Sequence, residues 1–309
     1  MIQYYIEFDP TGADAGVYNN IWKADLACGE FECIRGRIDL RGKIGPDGDV
    51  IASIKALPLD AAIHPSNRAL DLIQCLPGEY YHRIARPVLG NGMPDHIVNW
   101  DDHELIIRSQ MGGQLDWLLK ELREICQTIH PSDKTFKTYG HAIRNILILA
   151  CTEVEAGWKG VLRSNGYAPL DKNGALRDLT TADYAKVAPV LKLAEYSVRF
   201  SPYPWLAPIK PFENWETGKP SQSLAWYKAY NDTKHDRENK FEEATLENAF
   251  NAVAACAIIL VAQFGNFSGS RAGESITIND KPTWSWAEHY VPGNQVGIQP
   301  DLRGVNYMF

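Results

Sequence analysis

The sequence predicts a strand-rich α+β domain at residues 1–112, an all-α helical bundle at residues 113–265 and an irregular arm at residues 266–309. In the first third of the chain apolar and polar residues alternate, as they do along strands with one buried face. After Gly112 and Gly113 the apolar residues recur at helical spacing instead. In the remainder, aromatic residues lie among glycines and prolines without a period, which indicates an arm packed on the folded body.

The composition is that of a folded chain. Hydrophobic residues make up 45% of the 309 residues and charged residues 22%, which excludes wholesale disorder. This length permits one large or two medium domains. The net charge is −7, so a nucleic acid would have to bind at a local basic patch rather than through the overall field.

The six cysteines predict a reducing cytosol, because they are scattered and several lie in apolar periodic segments. Only Cys28 and Cys33 are close in sequence, without a second pair or a histidine cluster, so structural zinc is not expected. The N-terminus lacks the pattern of a signal peptide. The longest apolar run, residues 252–264, is shorter than the roughly 20 residues that cross a bilayer. We therefore expect a cytoplasmic protein in which this run is a buried helix, with no membrane partner.

Two hairpins and a short helix are predicted in the N-terminal domain. In "RGRIDLRGKIGPDGDVIASIKAL" two runs of alternating apolar residues flank a "GPDGD" turn, which predicts the first hairpin. The segment "HIVNWDDHELIIRS" predicts a second hairpin that turns at Asp101 and Asp102. Between them, "PSNRALDLIQCL" predicts a short helix.

Helices follow in the second part of the chain. The first has leucines at helical spacing from Leu115 and stops at "HPSDK", and further helices are expected at residues 139–164 and 181–196. Five prolines exclude continuous helix from residues 201–220. The helix resumes in "SQSLAWYKAYNDTKHDR". The following "EEATLENAFNAVAACAIILVAQF" is the most apolar helix, which predicts a central position in the bundle.

The "AWYKAYNDTKH" stretch is amphipathic when it is drawn as a helix. Trp226, Tyr230 and Thr233 fall on one side. The opposite side is polar, and its members are Lys228, Asn231, Asp232 and His235. This polar side has two interpretations, a reactive site or a solvated helix face.

The order of the helices over residues 139–264 resembles that of the HEPN superfamily. A first helix carries "ACTEVEAGWKGVL", a connecting region follows, the next helix ends in "YNDTKH", and a long apolar helix comes last. The family consists of compact helical bundles whose active members are metal-independent ribonucleases of toxin–antitoxin, abortive-infection and CRISPR-associated systems. The resemblance implies a HEPN-like helical bundle, and an endoribonuclease or RNA-binding component of a prokaryotic defence or toxin system.

The family motif is an arginine, usually a polar residue next, a few further residues and then a histidine. Asn231 stands in the polar position and His235 in the histidine position, whereas Tyr230 stands where the arginine is expected. In the family the histidine moves a proton while the RNA 2′-hydroxyl attacks the adjacent phosphorus, and the arginine stabilises the added negative charge. A tyrosine has neither the charge nor the donor fork of a guanidinium.

The resemblance therefore implies that His235 is the acid or base and that Asn231 orients it. The cation has to come from Lys228, Lys234 or Arg237, or from across a dimer interface, since family members commonly build the site from two bundles. Replacing Tyr230 by arginine would then be expected to raise activity. No cofactor and no metal are expected. The implied partners are RNA, a second copy of the chain and an antitoxin or defence protein.

Family members also place an acidic residue on the first helix, facing the motif helix, and Glu155 matches it. Glu155 can in addition form a favourable i,i+4 pair with Lys159. For Glu155 and Glu153 alike, a plain surface pair is the alternative. For the whole protein, the alternative is a non-catalytic dimerisation or interaction module with a decayed HEPN site.

Three further groups have both a functional and a structural interpretation. Arg144 and Asn145 either join a polar cleft or face solvent. The cations Arg35, Arg37, Arg41 and Lys43 form either a phosphate-contacting strip or the solvated face of a sheet, and Asp39 interrupts them. The loop aromatics Tyr203, Trp205, Phe212 and Trp215 either stack on bases or fix the loop to the bundle.

Overall fold

In a computed structural model of the chain, the structure describes residues 1–10, 20–36, 40–57, 68–89, 101–267, 270–293 and 302–309. The strands are β1 (Ile2–Phe8), β2 (Asn20–Asp25), β3 (Glu30–Arg35), β4 (Arg41–Lys43), β5 (Ala69–Leu72), β6 (Glu79–Tyr81), β7 (Ser197–Phe200), β8 (Ile276–Asp280) and β9 (Arg303–Val305). The α-helices are α1 (Val50–Lys55), α2 (Asp102–Thr128), α3 (His141–Ser164), α4 (Thr181–Tyr184), α5 (Val187–Val190), α6 (Ala225–His235), α7 (Arg237–Lys240), α8 (Leu246–Phe264) and α9 (Ala272–Ser275). Three short 3₁₀ turns cover Leu193–Glu195, Phe241–Glu243 and Trp286–Glu288.

The chain forms two compact units, and each is assembled from separated segments. A sheet unit comprises Met1–Tyr80, Arg86–Asn99 and Trp284–Gly304, and a helical unit comprises Tyr81–Ala85, Trp100–Thr283 and Val305–Phe309. These units differ from the division expected at residues 112 and 265. The helical unit begins earlier in the chain, and the expected C-terminal arm is divided between the two units.

The sheet unit contains an antiparallel five-stranded sheet in the order β4-β3-β2-β1-β5. Successive residues of β1 point to opposite faces. Tyr5 therefore belongs to one hydrophobic cluster and Ile6 to another. Glu7 is fully buried, and its carboxylate accepts hydrogen bonds from Asn20 and Trp22 at 3.0 Å and pairs with Arg68. A strand-rich α+β unit at the N-terminus was the prediction, and the sheet confirms that class.

Two short elements of this unit differ from the prediction. Residues 50–55 form α1 instead of the second strand of a hairpin, because the Asp49 carboxylate accepts a hydrogen bond from the Ala52 amide and caps a helix. Residues 69–72 form β5 on the edge of β1 instead of a helix. Segments of only four to six residues fit both the helical and the strand period, so the packing of the folded chain decides which structure forms.

The second predicted hairpin is wrong where the structure describes it. Asp101 accepts a hydrogen bond from the Glu104 amide at 2.8 Å and starts α2, so the residues that follow Asp102 are helical. Residues 95–100 lie outside the described part. Gly112 and Gly113 lie inside this 27-residue helix, and the sequence interpretation had placed the start of helix after them.

In the helical unit, α8 packs against α2, α3 and α6. Every residue from 252 to 264 is buried, which confirms the predicted central helix. The helix has 19 residues and is therefore longer than its apolar run. Within the described chain it is the one helix long and apolar enough to cross a membrane, and 83% of its most apolar window is buried inside the protein. Burial rather than length identifies it as a core helix.

Residues 181–196 are not one helix, contrary to the prediction. They form α4, α5 and a 3₁₀ turn. Pro189 lies in α5 and has no amide hydrogen to bond to the carbonyl of residue 185, so α4 and α5 do not continue as one helix. In α4 the buried Asp183 accepts hydrogen bonds from Arg177, from the Thr180 amide and hydroxyl, and from the Tyr167 hydroxyl. The strands β7 and β8 then pair as a small sheet, which the all-α prediction for this region did not include.

The five-proline loop at residues 201–220 forms turns, as expected. Phe212 is buried, and Trp215 packs against Trp158 with ring centroids 4.7 Å apart. Trp205 is exposed but donates a hydrogen bond to the Pro131 carbonyl at 2.8 Å and stacks on His130. These contacts agree with the interpretation that the aromatics fix the loop to the helical unit.

Candidate functional site

The helix α6 has the amphipathic character predicted for it. Trp226, Tyr230 and Thr233 are buried, and the Thr233 hydroxyl donates to the Ala229 carbonyl at 2.8 Å. The opposite side is half-buried at Lys228, Asn231 and Asp232 and exposed at His235, the last helical residue. The polar side of α6 therefore borders solvent.

Tyr230, which stands in the arginine position of the motif, is a core residue. Its side chain is 1% exposed, so it has no surface on which an RNA strand could rest. Its hydroxyl accepts a hydrogen bond from the Lys234 ammonium at 2.9 Å, and that ammonium lies 4.9 Å from the Tyr230 ring centroid. The hydrogen bond raises the pKa of Lys234, which keeps the lysine charged. Tyr230 thus positions a cation one turn further along the helix.

The other two expected cations of this region differ in their surroundings. Lys228 forms an i,i+4 ion pair with Asp232, and this contact raises the pKa of Lys228 while neutralising much of its charge. Arg237 is exposed in α7, and no described residue forms a hydrogen bond or ion pair with it. Lys234 and Arg237 are therefore the expected cations that remain available to a ligand.

The helix α3 brings a further cation to the end of α6. Nη2 of Arg144 donates to the Thr233 carbonyl at 3.4 Å, and Nε of Arg144 is buried without a hydrogen-bond partner. Carbonyls in the last turn of a helix lack intrahelical partners and carry partial negative charge, which a guanidinium stabilises. Arg144 of α3 therefore contacts the last turn of α6 two residues before His235, whereas Asn145 lines a groove between α2 and α3.

Glu155 contacts the motif helix, as the resemblance implied. The Tyr227 hydroxyl donates to Oε1 of Glu155 at 2.7 Å, and the Lys159 ammonium lies 3.8 Å from Oε2. Burial, followed by this hydrogen bond, raises the pKa of Tyr227. Tyr227 precedes His235 by eight residues, or about 12 Å along a helix. Glu155 therefore anchors the start of α6 and does not pair with His235.

His235 and Asn231 are one turn apart on α6. Among the described residues neither side chain has a hydrogen-bond partner. The candidate site therefore consists of the exposed imidazole of His235 and the amide of Asn231. Arg144 contacts the last turn of the same helix, and Lys234 and Arg237 flank His235 in sequence. Sequence reasoning named Arg144 only as a member of a cleft and did not single out Tyr227. Each of them lies where the apolar side of its helix meets the polar side, and this position in the helical wheel could have indicated both residues.

The cations of the sheet, for which the sequence allows a phosphate-contacting strip or a solvated sheet face, do not form a continuous strip. Nη2 of Arg35 donates to the Leu89 carbonyl at 3.4 Å, and Arg41 lies 3.9 Å from a Glu32 oxygen on the neighbouring strand. Arg41 and Lys43 face Glu32 and Glu30 across β3 and β4. Arg37 and Asp39 lie outside the described residues. Cross-strand pairing with acidic residues accounts for Arg41 and Lys43, and the Leu89 carbonyl is the partner of Arg35.

Among the described residues, one group of side chains has the donor atoms and spacing to hold a metal ion. His82, Asp101 and Glu104 place ligand atoms within 4.8 Å of one another, with His82 Nδ1 and Glu104 Oε1 3.0 Å apart. That hydrogen bond raises the pKa of His82. A hydrogen-bonded ion pair beside the capped end of α2 accounts for the geometry without a metal. Sequence reasoning missed this group because His82 lies 22 positions before Glu104 and outside the helix that Asp101 caps.

Comparison with protein-family models, with curated proteins and with solved structures finds no match to this chain.

Proposed function

We propose that the end of α6 binds RNA and cleaves it without a metal, as a HEPN-like component of a prokaryotic defence or toxin system in the cytoplasm. The observation that supports this most is the contact of the Arg144 guanidinium with the carbonyl of Thr233, two residues before the exposed His235 at the end of α6. Because Tyr230 stands in the arginine position, the resemblance does not say which residue provides the cation. We assign that role to Arg144, which belongs to the same helical unit. Lys234 and Arg237 add two more cations beside the histidine.

The proposed reaction is transesterification within the RNA strand. Neutral His235 accepts the proton of the 2′-hydroxyl, the 2′-oxygen bonds to the adjacent phosphorus, and the 5′-oxygen of the next nucleotide leaves and takes up a proton. The products are a 2′,3′-cyclic phosphate and a 5′-hydroxyl. Imidazole suits this step because its ordinary pKa lies near neutrality. The cations stabilise the extra negative charge that develops on the phosphoryl oxygens, and Asn231 orients the histidine or the phosphate.

The test is cleavage of a 5′-labelled RNA oligonucleotide by the purified protein in EDTA. His235→Ala should reduce the rate by ~100-fold or more, the lower range for removal of a positioned acid or base. His103→Ala is the matched control, because His103 is an exposed histidine of α2. Absence of cleavage by the unmodified protein, or equal rates for the two variants, would refute the ribonuclease proposal.

A second candidate function, homodimerisation as an interaction module, is favoured by the groove between α2 and α3. Its volume is about 670 Å³, and exposed apolar side chains such as Trp117, Tyr139 and Leu149 line it. We propose a second copy of the chain as the occupant. Glu121 and Glu124 on the α2 side carry the charge that complements the basic end of α6 in a symmetric pair. A dimer without ribonuclease activity would favour this function alone.

A further inference from the structure

A second cavity of the helical unit lies between α2 and α3 and contains a buried cation. Its volume is about 350 Å³, and it does not include any residue of α6. The polar residues that line it are Arg83, Gln110, Gln114 and Glu153, and Ile107 and Met111 supply apolar contacts. Pockets for small organic ligands have volumes of roughly 300–1,000 Å³, are largely apolar and contain a few polar groups.

Arg83 is the unusual member of this cavity. Its side chain is 4% exposed, and no described carboxylate forms an ion pair with it. Nε donates to Oε1 of the buried Gln263 at 2.7 Å, Nη2 lies 3.6 Å from the Met111 sulfur, and the guanidinium carbon lies 5.8 Å from the centroid of the Phe264 ring. Burial lowers the pKa of Arg83 to about 10 and the charge of Glu104 opposes this shift, so the guanidinium remains charged at neutral pH. Burying a charge that has no direct ion pair costs several kcal/mol.

The surrounding chain is shaped around this guanidinium. A Cβ atom added to Gly160 would overlap the Arg83 guanidinium, so the glycine of α3 leaves the room that the side chain occupies. Arg83 also has a φ of 56°, in the left-handed region that non-glycine residues rarely adopt. Both the backbone conformation and a buried charge without a direct ion pair reduce stability. Such features persist mainly where a site requires them.

We propose that this cavity binds a small organic oxyanion, with a carboxylate or phosphate group on the Arg83 guanidinium. Arginine suits this group because its planar donors match the oxygens of carboxylates and phosphates. The amides of Gln110 and Gln114 can contact the ligand from α2. Glu153 faces the cavity from α3 and can accept a hydrogen bond from a hydroxyl or amino group at the far end of the ligand. Its own pKa is raised by burial.

The probes are orthophosphate and acetate, each titrated at constant ionic strength against chloride. We expect one or both to raise the melting temperature in a saturable manner and to give a binding isotherm in calorimetry. Gly160→Ala should abolish this response, because the added methyl group displaces the guanidinium. Gly113→Ala is the matched control, since a Cβ there meets open space, and it should retain the response.

Gln114→Leu provides a second variant in case Gly160→Ala does not fold. Gln114 is half-buried at the cavity wall, and loss of one hydrogen bond should weaken the probe's binding by roughly 2–10-fold. A 5′-phosphorylated RNA oligonucleotide serves as a further probe, because protection by it alone would assign the oxyanion to RNA rather than to a small molecule. No saturable response to orthophosphate or acetate in the unmodified protein, or an unchanged response in Gly160→Ala, would overturn the proposal.

Discussion

Nη2 of Arg144 lies 3.4 Å from the carbonyl oxygen of Thr233, so α3 places a guanidinium on the final turn of α6. Tyr230, which the resemblance places in the arginine position, is buried. In the proposed site the cation and the histidine therefore come from different helices. The proposed arrangement depends on the packing of α3 against α6.

Arg144→Ala should reduce RNA cleavage by ~100-fold or more while His235 remains in place, because a cation aimed at developing charge is removed. The measurement is the single-turnover rate on a labelled oligonucleotide. Arg163→Ala, an exposed arginine at the end of the same helix, serves as the control. Equal rates for the two variants would show that Arg144 does not act in the reaction.

Tyr230→Arg is expected to destabilise the protein rather than to raise its activity. The side chain would bring a charge into a site that is 1% exposed, at a cost of about 3 kcal/mol or more. Tyr230→Phe, which loses only the hydrogen bond from Lys234, should cost about 1 kcal/mol. Urea denaturation measures both free energies. A stable and more active Tyr230→Arg protein would mean that this side chain turns towards solvent.

Val253→Asp should abolish soluble folding. Val253 is fully buried in α8, and a carboxylate without a partner costs several kcal/mol there. Ala225→Asp adds the same group at an exposed first position of α6, where negative charge is favourable. Soluble expression and the cooperativity of thermal unfolding distinguish the two variants. A cooperatively folded Val253→Asp protein would place α8 outside the core.

The stability of the helical unit should fall in acid through Asp183. The hydrogen bond from Arg177, the largest cause, holds the pKa of Asp183 well below its usual range. A lowered folded-state pKa stabilises the protein above the unfolded value of about 3.9, and this contribution is lost as the pH falls through the folded value.

Asp183→Asn should lower the free energy of unfolding at pH 7 by about 2 kcal/mol, and it should flatten the pH dependence below about pH 4. The matched control is Asp178→Asn, since Asp178 is an exposed carboxylate five residues earlier. Denaturant unfolding at a series of pH values provides the measurement. If the free energy of unfolding of Asp183→Asn falls as steeply with decreasing pH as that of the unmodified protein, other groups cause the acid sensitivity.

The homodimer should sediment at twice 34.6 kDa at micromolar concentration. Trp117→Glu should produce monomers, because it adds a charge to the groove between α2 and α3. Leu170→Glu changes an exposed apolar residue that does not line the groove, and it should leave the dimer intact. A strict monomer for the unmodified protein would remove both the dimer and any site shared between copies.

The long periodic segments were predictable from the sequence, and the short ones were not. α3, α6 and α8 each repeat their apolar positions over three turns or more, so the period alone identifies them. α1 has six residues and β5 has four, which is too short for a period to identify the secondary structure. The Asp49 cap makes α1 a helix, and pairing with β1 makes β5 a strand. At the N-terminus of α2, the glycines inside the helix concealed its true beginning at Asp102.

The candidate site shows the same division. The exposure of His235 and the burial of Tyr230 follow from the helical wheel of α6. The contact between Arg144 and Thr233 joins residues 89 positions apart, and the contact between Arg83 and Gln263 joins residues 180 positions apart. No local pattern indicates such pairs, because each depends on how separate helices pack.

The segmented build of the helical unit has a consequence for synthesis on the ribosome. Tyr81 is made early, yet its ring packs 5.1 Å from that of Tyr307, and the Tyr307 amide donates to Asn165 at 2.7 Å. A nascent chain that has emerged only as far as residue 265 lacks these contacts and also lacks β8, the partner of β7. The helical unit therefore gains the contacts of Tyr307 with Tyr81 and Asn165 only after residues 305–309 have been translated.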